Sequence, residues 1–160
     1  MNIVMSLVNL SRMAALLMMV TVTSAAFATD STGCQASASD NTQVIDAVRT
    51  MYAAATTDDM VGFHSVASAK FYAFDGGKRF DGDALMNVVK AMHAAGNIYV
   101  WKVTEPEVHV TCSVAWITCV NRGSVKDASG TKELAWVESA FLEKEAGQWR
   151  ILFLHSTRMP

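Results

Sequence analysis

The sequence predicts an α+β fold in which three amphipathic helices precede a run of antiparallel strands. Two observations support this prediction. Between residues 42 and 95 apolar side chains recur mostly at helical spacing, and after Gly96 they alternate with the period of two that strands have. Helical and strand segments are therefore largely separated along the chain, which is typical of helices that cover one face of a sheet.

Three helix starts are expected from turn-forming residues that precede apolar repeats. The first helix is predicted from Thr42, with Thr42 or Asn41 as its N-cap. A short second helix is capped by Thr57 or Asp58, and a third begins at residues 81–82. An aromatic stretch before the third helix, Phe71 to Phe74, is read as a strand.

The last hairpin, "ELAWVESAFLEK" followed by "WRILFLHST", depends on the loop "EAGQ". A three-residue loop with Gly147 left-handed is expected, because a two-residue turn would force Ala146 to positive φ. That register places Glu138 on the face of Leu154, and Ser139 on the face of His155. The alternative register would reverse both assignments.

The N-terminal segment has the features of a secretory signal peptide. An uninterrupted apolar run follows Arg12, and Ala26 and Ala28 precede a cleavage site before Thr29. We expect residues 1–28 to be removed, 29–41 to form a flexible leader, 42–160 to form the domain, and the protein to be periplasmic or secreted. Without Arg12, 12 of the 13 basic residues remain against 15 acidic ones, with no basic stripe, which argues against a nucleic-acid partner.

Three cysteines are present: Cys34, Cys112 and Cys119. The second and third lie in one predicted hairpin, too far apart along extended chain for a disulfide between them. Three unpaired thiols are expected, with Cys34 free for an intermolecular bridge. No cysteine or histidine pair has metal-ligand spacing, so no metal site is predicted.

Both faces of the last strand are apolar, and three helices can cover only one face of the sheet. The face of His155 is taken as the inner one. A second copy of the chain is the simplest cover for the other face, which would make the protein a homodimer. Leu152, Leu154 and Trp136 are the expected contacts.

Three stretches carry a resemblance to a known family: "MYAAATTDDMVGF", "FYAFDGGKRFDGDAL" and "EAGQWRILFLHST". With them the chain resembles the SnoaL-like and DUF4440 branch of the nuclear-transport-factor-2-like (NTF2-like) superfamily over about Thr42 to Arg158. The resemblance implies a cone, a strongly curved antiparallel sheet wrapped around the helices, with a cavity at its open end and a homodimer through the outer sheet face. Members include isomerases, dehydratases, cyclases and binding modules, so the resemblance does not choose a function.

Two residues are candidates for catalysis. Asp75 is either a turn residue before two glycines or a general base at the cavity mouth. His155 is either a core residue or a hydrogen-bond donor near neutral pH. In the ketosteroid isomerases of the superfamily, which the chain resembles in outline, a base carboxylate lies near the position of Asp75. A tyrosine of these enzymes corresponds to Met51, one residue before Tyr52.

The remaining pocket candidates are Tyr52, Trp101, Ser139 and Phe153. The composition predicts an apolar cavity that binds a small apolar ligand, without a cofactor. The alternative is a cofactor-independent isomerase or dehydratase acting on a small carbonyl compound, with Asp75 as base and His155 or Tyr52 as polarising group.

Overall fold

The computed structural model describes residues 36–160, so the predicted signal peptide and most of the leader lie outside it. Three helices and six strands follow one another along the chain: α1 (Ala38–Thr56), α2 (Met60–Val66), β1 (Ala67–Asp75), β2 (Lys78–Asp81), α3 (Gly82–Ala94), β3 (Ile98–Thr111), β4 (Val114–Asp127), β5 (Gly130–Glu145) and β6 (Gln148–Arg158). None of the described helices is long and apolar enough to cross a membrane.

The six strands form one curved sheet in the order β2-β1-β6-β5-β4-β3. All neighbours are antiparallel except β1 and β6, which are parallel. The predicted α+β class is confirmed, and the parallel pair makes the sheet mixed. That pair arises because the chain passes through β2 and the helix α3 before it builds the remaining strands in sequence.

Helix α1 begins at Ala38, four residues before the predicted start at Thr42. The carboxylate of Asp40 explains the difference. It accepts a hydrogen bond from the backbone N–H of Ser37 at 2.8 Å and contacts Lys144 Nζ at 2.6 Å and Trp149 Nε1 at 3.0 Å. An acidic side chain in the first turn also complements the helix dipole. The last residues of the predicted leader are therefore helical and tied to the β5–β6 hairpin.

The starts of α2 and α3 are set by aspartate side chains. Asp59 caps α2, in place of the predicted Thr57 or Asp58, and its carboxylate accepts a hydrogen bond from Gly62 N–H at 2.9 Å. Asp81 does the same for Ala84 N–H at 2.7 Å at the start of α3, as predicted. Both carboxylates satisfy backbone donors that have no partner within the helix.

The core lies between α1 and the concave face of the sheet. Val44 and Val48 of α1 pack in one buried cluster with Ile117 of β4, Leu142 of β5 and Ile151 of β6, each at most 1% exposed. Burying each such side chain stabilises the fold by roughly 1.5–3 kcal/mol. The cluster is densest where the strands meet the middle of α1, and it leaves the other end of the cone open.

The turn between β5 and β6 differs from the predicted three-residue loop. Glu145 pairs with Gln148, and the two turn residues, Ala146 and Gly147, both have positive φ, at 49° and 82°. This is the two-residue geometry that matches strand twist, and it is adopted although Ala146 is not a glycine.

A β-bulge follows at Leu152. Leu142 pairs with Ile151 while Phe141 pairs with Phe153, so Leu152 has no partner on β5. The turn has one residue fewer than predicted, and the bulge adds one residue to β6. Together these two changes leave the residues beyond the bulge on the predicted faces relative to β5. The predicted shared face of Ser139 and His155 is therefore found, and the two residues pair directly, although the loop length behind that prediction was wrong.

The expectation of three unpaired thiols is wrong. Cys112, in the turn between β3 and β4, is disulfide-bonded. Cys119 is free and buried, as expected from the extended chain between the two residues. Cys34 lies outside the described residues.

Candidate active site: a buried carboxylate in an apolar cavity

A cavity of about 460 Å³ lies between the helices and the concave face of the sheet. Its volume is in the range of small-molecule sites. Most of its wall is apolar, and α3 contributes the largest share. The apolar lining comprises Met51, Ala55, Phe63, Phe80, Leu85, Met86, Val88, Val89, Met92, Trp101, Val125, Leu134, Trp136 and Leu154.

Strand pairing places a row of polar residues across the floor of this cavity. Asp75 of β1 pairs with Ser156 of β6, Ser156 pairs with Glu138 of β5, and Glu138 pairs with Cys119 of β4. Neighbouring strands are about 4.8 Å apart, so the alpha carbons of Asp75 and Glu138 are about 10 Å apart. The first three of these side chains line the cavity, which brings two carboxylates to one apolar space.

Glu138 is the most deeply placed of these groups, at 3% exposed. The hydroxyl of Tyr52, from α1, donates a hydrogen bond to its Oε2. The hydroxyl of Ser156 donates to its Oε1 at 3.1 Å. Each carboxylate oxygen therefore has one protein donor, which is how a buried acidic group avoids the full cost of desolvation.

Burial raises the pKa of Glu138 to about 7. The hydrogen bonds from Tyr52 and Ser156 act in the opposite direction, and the negative charge of Asp75 adds to the increase. Near neutral pH the carboxyl group is therefore present in both protonation states, the condition under which a group accepts and returns protons efficiently. Burial and the charge of Glu138 raise the pKa of Tyr52 well above its ordinary value, so its hydroxyl remains a donor.

Asp75 lies at the cavity rim and is solvent-exposed. Partial desolvation raises the pKa of its carboxyl group, against the lowering effects of Gly76 N–H and His155. It is also the last residue of β1, directly before the turn in which Gly76 and Gly77 have positive φ. The two interpretations of Asp75, turn residue and cavity carboxylate, thus both describe its position.

Asn121 of β4 lies fully buried beside the Tyr52–Glu138 pair. Its amide lowers the pKa of both groups, yet neither Oδ1 nor Nδ2 has a partner with hydrogen-bond geometry among the described residues. Buried amides are normally satisfied. The amide of Asn121 therefore lies close to the Tyr52–Glu138 pair without a hydrogen bond to either residue.

The match to a protein-family model decides the family. Residues 43–160 match the model of the SnoaL-like domain. The chain belongs to the SnoaL-like family. No curated protein matches the chain significantly.

Solved structures share the fold of this SnoaL-like chain. A Mycobacterium tuberculosis protein of unknown function superimposes with a TM-score of 0.67 at 17% identity, over 75% of this chain and 76% of that one. An NTF2-like protein from Streptomyces avermitilis, proposed as a dehydratase, has a TM-score of 0.65 at 16% identity, over 76% and 97%. The CaMKII association domain from C. elegans has a TM-score of 0.63 at 16% identity, over 74% and 95%. The NTF2-like fold is thereby shown.

The predicted site residues of this SnoaL-like domain divide into two groups. Tyr52, Trp101 and Asp75 line the cavity. His155 is exposed, and its Nε2 lies 3.4 Å from Thr157 Oγ1 on the outer surface.

Ser139, paired with His155, is half-buried, and Phe153 packs against Tyr72 and Phe74 outside the cavity. The prediction that His155, Phe153 and Ser139 face inward is wrong. The bulge at Leu152 exchanges the two faces of β6 beyond Ile151.

The same exchange corrects the predicted dimer contacts. Leu154 and Trp136 line the cavity and therefore cannot lie on the outer face. The residues missed by sequence reasoning are Glu138 and Ser156, which the strand pairing brings together. A signal for Glu138 was present, because it is a single acidic residue within the apolar strand "LAWVESAFL".

No group of three metal-ligating side chains is found among residues 36–160. The candidate site consists of the buried carboxylate of Glu138 with the hydroxyl groups of Tyr52 and Ser156, at the floor of an apolar cavity. Such an arrangement can move a proton to or from a bound molecule.

Proposed function

We propose that this SnoaL-like domain catalyses proton transfer on a small, mostly apolar carbonyl compound, as a cofactor-independent isomerase or dehydratase. The observation that supports the proposal is the carboxyl group of Glu138. It is buried in an apolar cavity, has a pKa of about 7 and accepts a hydrogen bond from Tyr52. Asp75 supplies a second carboxylate to the same cavity. For this reaction the sequence predicted Asp75 as base, with His155 or Tyr52 as polarising group. In the proposal Glu138 replaces Asp75 as base, and of the two polarising candidates only Tyr52 lies at the site, as the donor to Glu138.

The chemistry follows from the position of Glu138. Its carboxylate removes a proton from the carbon next to the carbonyl group of the ligand, and the electron pair of that C–H bond moves onto the carbonyl oxygen. In an isomerisation the carboxylic acid returns the proton to another carbon. In a dehydration it gives the proton to the hydroxyl group on the next carbon; the electron pair returns from the enolate oxygen to form the C=C bond, the C–O bond breaks, and water departs. Both routes need one group whose pKa is near the working pH.

Deuterium exchange tests the proposal. A small cyclic β,γ-unsaturated ketone is incubated with the protein in D₂O, and loss of its C–H signal is followed by NMR. Glu138→Gln should slow exchange by about 10²–10⁴-fold, the usual contribution of a general base. Glu133→Gln, on the same strand but exposed outside the cavity, is the matched control. Equal exchange rates in the Glu138→Gln protein and the parent would contradict the proposed base.

Ligand binding without reaction is the second candidate. Both oxygens of Glu138 already accept hydrogen bonds from the protein, and the fold also occurs in an association domain. Native mass spectrometry of the purified protein, followed by extraction, would show a retained apolar molecule. Retention of such a molecule, combined with no proton exchange on it or on the model ketone, would favour a carrier over an enzyme.

Two further proposals concern the state of the protein. We propose that it is exported and begins near Thr29 after removal of the N-terminal apolar segment. An intact mass from the native host would show this start, and a retained Met1 would contradict it.

We also propose a homodimer through the outer sheet face, where Phe74, Trp116 and Val137 are 41–49% exposed. Light scattering at micromolar concentration should give twice the chain mass, and Val137→Lys should shift it toward one chain. A monomeric parent would overturn the dimer.

A further inference from the structure

Two cationic side chains line the cavity whose floor holds Glu138. They are Lys132 of β5 and Arg158 of β6, both exposed. The guanidinium group of Arg158 makes no hydrogen bond or ion pair with any described side chain, and the nearest carboxylate oxygen to Lys132 Nζ is Asp127 Oδ2 at 4.0 Å. The proton-transfer chemistry proposed above uses neither cation.

The strand register shows how close Arg158 lies to the reaction site. Arg158 pairs with Trp136, two pairs along the sheet from the pair formed by Ser156 and Glu138 and on the same face. Two residues along a strand span about 7 Å. Lys132 is six residues from Glu138 on the same strand, about 20 Å away if the strand is extended. Arg158 is therefore the nearer cation, and Trp136 provides apolar surface beside it.

Glu138 does not neutralise this guanidinium group. Its two oxygens accept hydrogen bonds from Tyr52 and Ser156, and it sits below the surface of the cavity while Arg158 is exposed. A bound molecule that reaches from the floor toward Arg158 would meet an apolar wall first and a free planar donor group last. Guanidinium groups bind carboxylates through two parallel hydrogen bonds.

We propose that the ligand of this cavity is an organic acid whose apolar body fills the space above Glu138 and whose carboxylate is bound by Arg158, with a weaker contribution from Lys132. The placement of the reactive carbon near Glu138 rests on the proposed function. A single negative charge fits better than a phosphate group, because Asp75, Asp127 and Glu138 line the same cavity and a doubly charged group would be repelled more strongly.

Two probes of equal chain length, decanoate and 1-decanol, separate the charge from the apolar body. Trp101 and Trp136 line the cavity, so binding is read from intrinsic fluorescence. The parent should bind decanoate about 10- to 100-fold more tightly than decanol, the usual strength of hydrogen bonds to charged groups. Arg158→Gln should remove that preference and leave decanol binding within about twofold, and Arg158→Lys should retain part of it.

Lys132→Gln should cause a smaller loss than Arg158→Gln. Lys126→Gln is the matched control, since this exposed lysine of β4 does not line the cavity. Unchanged decanoate binding in Arg158→Gln, an equal affinity of the parent for both probes, or no binding of either probe would each overturn the inference.

The outcomes separate this inference from the proposed function. An Arg158-dependent preference for decanoate in a protein that exchanges no C–H proton would leave the carboxylate site standing and remove the proposed reaction. Proton exchange that depends on Glu138, without any preference for the acid over the alcohol, would do the reverse. Glu138→Gln should keep the preference for decanoate, because the carboxylate of the probe is bound at Arg158, two pairs along the sheet from Glu138.

Discussion

In both halves of β6 the side chains alternate between the two faces of the sheet. Odd-numbered residues face inward before Leu152, and even-numbered residues face inward after it. Before Leu152, Trp149 and Ile151 face the core at 4% and 0% exposure, as regular alternation from Trp149 predicts. Beyond Leu152, Leu154 and Ser156 face inward while His155 is exposed. The first half contributes side chains to the core and none to the cavity lining. The second half contributes to the cavity and its polar floor.

The difference teaches that one unpaired residue, Leu152, determines which side chains of β6 line the cavity floor. With regular alternation beyond Ile151 the floor would carry Phe153 and His155 in place of Leu154 and Ser156, while Glu138, on the regularly alternating β5, would still face inward. The bulge turns Ser156 inward next to Glu138, and the neighbouring strand β1 adds Asp75 to the same row. Bulges commonly redirect side chains beside functional sites. Here the redirected residue is a donor to the buried carboxylate.

The largest effect that distinguishes the two halves is on folding stability. Leu154→Ala should lower the free energy of unfolding by about 2–5 kcal/mol, because Leu154 is buried in the core cluster. Phe153→Ala should cost less, since that ring is half-buried against Tyr72 on the outer side. Chemical denaturation measures both. Ile151→Ala is the control whose large cost is expected with or without the bulge, and a larger cost for Phe153→Ala than for Leu154→Ala would contradict the redirected strand.

The next effect is on the pH dependence of stability. The pKa of Glu138 is about 7 in the folded protein against an ordinary value of 4.5. Between these values the folded state binds more protons than the unfolded state, so stability falls as pH rises through this window. The full difference corresponds to roughly 3 kcal/mol.

Glu138→Gln should therefore make the unfolding free energy much less dependent on pH between about 5 and 8. Glu143→Gln removes a carboxylate from the same strand, opposite Arg150 in the first half of β6, and should keep the slope of the parent. Urea denaturation at several pH values provides the comparison. An unchanged slope in Glu138→Gln would mean that the folded protein does not hold this carboxyl group in the protonated form.

Sequence reasoning predicted the elements of this fold well, for identifiable reasons. Apolar spacing located the helices, the aspartate at residue 81 located the start of α3, and the alternation of apolar residues after Gly96 located the hairpin that contains Cys112. These are local signals, each readable within a few residues. The early start of α1 was missed because Asp40 acts partly through Lys144, a residue far away in the sequence.

The candidate site was predicted only in part because it depends on register. Tyr52, Trp101 and Asp75 were placed at the cavity by their positions at element ends or on an unambiguous face. Glu138 was predicted to share a face with Leu154, and it does. Its face was assigned wrongly, because "ILFL" is apolar on both sides and gives no alternation from which a bulge could be recognised. The pattern of side chains alone does not reveal a residue that has no partner on the neighbouring strand.

The smallest effect compares two adjacent residues of the second half, Ser156 and His155. The hydroxyl of Ser156 donates to the charged form of Glu138, so Ser156→Ala should raise the pKa of Glu138 above about 7 and lower stability by about 1 kcal/mol. His155→Ala should leave the pKa of Glu138 unchanged and raise that of Asp75, because His155 lowers the pKa of Asp75 through its charge. NMR titration of carbon-13-labelled carboxyl groups, with Glu138 assigned from its Gln variant, reads both values. If His155→Ala moved the Glu138 titration as far as Ser156→Ala does, the histidine would belong to the site and the inward face of β6 would have to be reassigned.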